Sequence, residues 1–69
     1  MSVVKVIEVL SESNKSWEDA AQKAVKEADK TIRNIRSVWV KDMNMEVDKG
    51  KIVTWRLTCK ISFELDGKK

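Results

Sequence analysis

Apolar and polar residues change their period along this chain. Val3 to Leu10 is rich in β-branched residues and runs into the polar cluster Ser11 to Ser16, the pattern of a strand closed by a turn. From there Trp17, Ala20, Ala21, Ala24, Ala28, Ile32 and Ile35 recur at steps of three and four, one stripe of an amphipathic helix. Ser16 is placed to cap that helix, because its hydroxyl accepts from the free N–H groups of the first turn, and Asp19 follows as a capping-box-like acid. Glu18 and Asp19 stand at the positive end of the helix dipole, Arg33 and Arg36 at the negative end. The stripe predicts a helix of about 20 residues, roughly 30 Å long.

After Arg36 the period is two. Ser37 to Val47 and Lys51 to Leu65 read as strands separated by Asp48-Lys49-Gly50, where glycine supplies the positive φ of a hairpin turn. In the last strand Val53, Trp55, Leu57, Cys59, Ile61, Phe63 and Leu65 share one face; Thr54, Arg56, Thr58, Lys60, Ser62 and Glu64 share the other. The tail Asp66 to Lys69 reads as frayed. The fold class is α+β with order β-α-β-β, and setting the long apolar third strand between the other two makes every neighbouring pair antiparallel. That gives sheet order 1-3-2 with the helix across one face.

Lengths then point to a partner. A third strand of about 15 residues extends roughly 50 Å. A ~30 Å helix cannot cover it, so the remaining apolar face has to meet another subunit. If Val38 and Val40 lie under the helix, Trp39 projects from the opposite face, with Met43, Met45 and Val47 beyond it unless a bulge between Lys41 and Met45 changes the parity.

Composition narrows the class further. Sixty-nine residues make one domain, 1–69. At that size folding hides only roughly 60% of the surface of the unfolded chain. One cysteine, Cys59, excludes an intrachain disulfide, and the absence of histidine excludes Ser-His-Asp and Cys-His catalysis and histidine-ligated metal sites. Oligomerisation is the stabilising device left. A net charge of +3 is too mild for a nucleic-acid binder. Lys23, Lys26, Lys30 and Arg33 do form a basic helix edge, but Asp19 with Lys23 and Asp29 with Arg33 at i,i+4 make it a salt-bridged solvent face without interleaved aromatics.

No apolar run approaches the ~20 residues of a membrane span and the N-terminus lacks a signal-peptide pattern, so the expectation is a cytoplasmic protein with Cys59 reduced. No nucleophile, general base, metal loop or phosphate loop is visible, which argues against an enzyme. Leu57 and Phe63 belong to the buried face, Cys59 is a small apolar filler, and Trp17 and Trp55 read as packing residues. Trp39 remains open between an oligomer contact and a stacking platform.

Four segments resemble the dodecin family: Val4 to Ser13 (VKVIEVLSES), Ser16 to Ala21 (SWEDAA), Thr31 to Asp42 (TIRNIRSVWVKD) and Lys60 to Leu65 (KISFEL). The resemblance runs in order over nearly the whole chain. It implies a homododecamer, a hollow sphere of twelve subunits that stores or sequesters riboflavin, FMN or a related flavin in pairs near interfaces, stacked on tryptophan, without enzymatic activity. The family's stacking tryptophan opens the second strand, where this chain has Ser37, and its ring-binding glutamine on the third strand corresponds to Arg56. Asp42 matches an acidic residue near the flavin side chain, and Trp39 stands two residues past the missing tryptophan on the same face. Arg56 in that place favours an anionic ligand. The alternative is a structural cage of the same architecture that has lost flavin and holds another ligand or a metal ion.

Overall fold

The computed structural model describes residues 3–65, so the tail expected to fray over 66–69 lies outside the described residues. The elements are β1 (Val4–Ser13), α1 (Trp17–Asp29), β2 (Ile35–Asp48) and β3 (Lys51–Glu64), and the sheet order is β1-β3-β2 with both pairings antiparallel. The topology follows from the alternation of β3, which is apolar enough along one face to occupy the centre.

Helix α1 packs on β1 and β3. Its small stripe residues Ala20, Ala24 and Ala28 let the backbone approach Leu57, Cys59 and Ile61, and these six form the buried core. Trp17, Ile7, Val9, Ile32, Ile35 and Val38 close around them. Phe63, expected inside with Leu57, is only half-buried and is not among the residues packed against that core.

The helix is shorter than its stripe implies. It spans 13 residues and stops at Asp29, about 20 Å. Ile32 and Ile35 continue the stripe because they pack on the same core, but from the turn and from β2; the helix has already ended, and Asn34 at φ 63° redirects the chain between them. Arg33 and Arg36 therefore do not serve the helix end. Arg36 instead meets Glu64 across the sheet at 3.4 Å, and no Asp29–Arg33 pair forms among the described residues. At the other end Ser16 caps as expected, its Oγ accepting from Asp19 N–H at 3.0 Å. Asp19 does not complete a capping box. Its Oδ2 accepts from the Ser13 hydroxyl at 2.6 Å and meets Lys23 at 3.3 Å, while the Ser16 N–H turns to Ser13 Oγ.

Strands β2 and β3 are 14 residues each, and the chain extends 52 × 19 × 13 Å. Much of the sheet is thus left without helix cover. The register shifts at Ile35/Ser37, Val40/Asp42 and Glu46/Val47. The middle shift corrects one expectation: with Lys41 as an extra residue, Met43 and Met45 pair with Leu57 and Trp55 on the helix side of the sheet, not beside Trp39.

Candidate functional site

The helix-free face of the sheet is a ladder of rows, each with one residue from every strand. From one end these are Val6–Ser62–Ser37, Glu8–Lys60–Trp39, Leu10–Thr58–Asp42 and Glu12–Arg56–Asn44. Ser37, Trp39, Asp42 and Arg56 therefore share a face, one to a row. Rows two residues apart are separated by roughly 7 Å, so Ser37 and Arg56 stand about 20 Å apart. Ser37 and Trp39 are neighbours, as are Asp42 and Arg56; one chain does not gather all four into a pocket.

Each position has its own physical setting. Ser37 and the buried Ser62 share a hydrogen bond of 2.6 Å between their hydroxyls, which satisfies both and leaves a small polar surface where a stacking ring would lie. Trp39 is 54% exposed and projects beside Lys60, while Glu8 in the same row binds Lys41 at 3.0 Å. Asp42 faces Thr58 and makes no ion pair among the described residues. Arg56 ties the three strands together. It donates to Glu12 Oε2 from Nε at 2.7 Å, to Asn44 Oδ1 from Nη1 at 3.0 Å and to Glu46 Oε1 from Nη2 at 3.2 Å. The hydrogen bond to Glu12 leads the causes that raise its already high pKa.

That setting changes the expected role of Arg56. Two carboxylates already neutralise its charge, so it does not present the open cation that an anionic ligand would seek. Glu12, Asn44 and Glu46 are the members of this face that the sequence reading misses; it places Ser62 on the face of Arg56 but not as the partner of Ser37. Their alternation was visible, but which of them meet Arg56 and Ser37 depends on the register shifts. On the opposite face burial pushes the Cys59 thiol up, in keeping with a filler and not a reactive group. A groove of about 600 Å³ lies between α1 and β1; none of the four candidates lines it, although Glu12, the partner of Arg56, does. Among the described residues no three or more acidic or thiol groups of one chain converge to hold a metal ion.

One helix over the middle of a long antiparallel sheet, with a polar ladder on the far side, defines a small α+β protein of β-α-β-β type. The chain belongs to the dodecin family, whose profile matches residues 3–66. Calcium dodecin of Mycobacterium tuberculosis is 38% identical over 65 residues, which cover 94% of this chain and 92% of that relative. A crystal structure of calcium dodecin from that organism, described as a calcium-chelating immunodominant antigen with a novel calcium-binding site, matches with a TM-score of 0.80 at 39% identity, covering 99% of this chain and 97% of that one. Dodecin from Streptomyces coelicolor matches with a TM-score of 0.89 at 24% identity over 97% and 96% of the two chains, a likeness of fold alone. Dodecins are small homo-oligomeric binding proteins for small ligands.

Proposed function

We propose that this chain is one of twelve subunits of a dodecin-type shell that holds a small ligand where subunits meet, and that the ligand is calcium in preference to flavin. The observation that carries this reading is the Ser37–Ser62 hydrogen bond, which occupies the place of a stacking ring with two small satisfied hydroxyls. The self-neutralised Arg56 works in the same direction, because an isoalloxazine edge or a flavin phosphate would have to displace Glu12, Asn44 or Glu46.

Calcium draws support from the relative named for it and from Asp42, an acid without an ion pair among the described residues. Among the described residues one chain gathers no group of three acidic side chains, while calcium takes six to eight oxygen ligands. The ion is therefore shared between subunits, with Asp42 contributed by more than one of them. Exposed Trp39 favours a second reading, weak flavin stacking on the same face.

Calorimetric titration with calcium and fluorescence titration with riboflavin separate the two. Wild type is expected to bind calcium and to quench riboflavin weakly, and Asp42→Asn to lose the calcium signal with its assembly unchanged. Ser37→Trp should tighten riboflavin roughly 10- to 100-fold, the worth of one aromatic stack. Tight riboflavin binding by wild type without a calcium signal would return the site to flavin, through Trp39 if Trp39→Ala abolishes it.

A further inference from the structure

Arg56 is the most heavily engaged cation among the described residues. Each of its three guanidinium nitrogens meets a side-chain oxygen, Nε that of Glu12 on β1, Nη1 that of Asn44 and Nη2 that of Glu46 on β2. Every other ion-paired Lys or Arg there has a single carboxylate partner. Two carboxylates and an amide oxygen are also donor types that calcium takes. We propose that Arg56 is a tethered cation, seated where a calcium ion would otherwise bind, and that it thereby confines calcium to Asp42 on the same face. The confinement to Asp42 rests on the calcium reading above; the tethered cation does not.

The register explains why a fixed charge stands here. Glu12 and Asn44 flank Arg56 in one row, and the shift after Glu46 brings Glu46 to the same face. Without a cation between them, the two glutamates would face each other across the central strand as like charges. Their side chains are 53% and 59% exposed against 26% for Arg56, so both can reach water and rearrange around a smaller ion. In Arg56→Gln, two bidentate glutamates, Asn44 and the new amide carbonyl would offer the oxygens that calcium coordination starts from.

Ion pairing across the rest of the face leaves calcium one place to go. Glu8 is held by Lys41, Glu64 by Arg36, and Glu12 and Glu46 by Arg56. Asp42, one row from Arg56, is the acid of this face that has no ion pair among the described residues. Arg56 closes two of the four paired carboxylates by itself, which makes it the residue that decides where a divalent cation enters.

The test uses the full-length chain and calcium chloride, with potassium chloride at matched ionic strength as the control. Asp42→Asn removes the shared site and is expected to bind no calcium. Adding Arg56→Gln to it should restore calcium binding by calorimetry, and Glu12→Gln added to both should weaken that binding roughly tenfold or more. Melting gives a second readout: in chelator the Asp42→Asn, Arg56→Gln chain should melt below Asp42→Asn, and millimolar calcium, but not potassium, should restore it. A double variant that folds only with calcium supports the same conclusion. A double variant that binds no calcium, does not fold in its presence, gains as much from potassium, or binds undiminished with Glu12→Gln overturns the tethered cation. A wild type that binds no calcium, or an Asp42→Asn that binds as wild type does, overturns the confinement to Asp42 and leaves the tethered cation to the double variant.

Discussion

Leu57 and Phe63 share a face of β3, yet removing them carries different costs. Leu57 is 1% exposed beneath the alanines of α1, so Leu57→Ala is expected to cost about 2 to 5 kcal/mol. Phe63 is half-buried and should cost less. In an assembly-dependent fold both losses appear as dissociation together with unfolding, read in urea melts at fixed protein concentration. Asp19 gives a pH test. The Ser13 hydroxyl, with Lys23, lowers its pKa below the ordinary 3.8 in the folded chain. A depressed folded pKa contributes stability that is fully present above 3.8 and is lost as pH falls below it through the folded value. Asp19→Asn should therefore flatten the acid limb of the stability profile below about pH 4 and leave its slope near neutrality unchanged. A steep acid limb surviving in Asp19→Asn would mean that other carboxylates set it.

At the scale of elements, the β2–β3 hairpin closes on Lys49 and Gly50, both at positive φ, 53° and 78°. Glycine adopts that conformation freely, but lysine meets a Cβ penalty there. Lys49→Asn should stabilise the hairpin by about 1 kcal/mol, measured as a raised melting temperature, because asparagine tolerates the left-handed region and the pair becomes an Asn-Gly turn. An unchanged or lower melting temperature would show that the turn is not strained. The same turn shows what was legible in the sequence. Alternation in β3 sufficed to fix the sheet order and to put Ser37, Trp39 and Arg56 on one face. It could not fix β2 beyond Lys41, because a bulge changes parity without altering composition. For the same reason the partners of Arg56 escaped notice: with Asp48 opposite Lys51, unbroken counting puts Glu46 against Val53, and the shift after Glu46 moves it to Thr54 on the face of Arg56. The helix end was obscured by Ile32 and Ile35, which obey the helical period while belonging to a turn and a strand.

The whole molecule is an elongated sheet with too little helix. With Val4, Val6, Leu10 and Trp39 exposed on one face and Val40, Met43 and Met45 on the other, a lone chain would carry apolar surface on both sides. In the proposed shell, assembly covers that excess and sets the polar ladder between subunits. Flavin and calcium make opposite demands on this ladder: one needs a flat aromatic platform, the other a convergence of oxygens from several chains. Native mass spectrometry of the wild-type protein, supplied with calcium and riboflavin together, addresses both parts of the account at once. It should show twelve chains retaining calcium and no riboflavin. A single-chain species, or twelve chains carrying riboflavin without calcium, would contradict it.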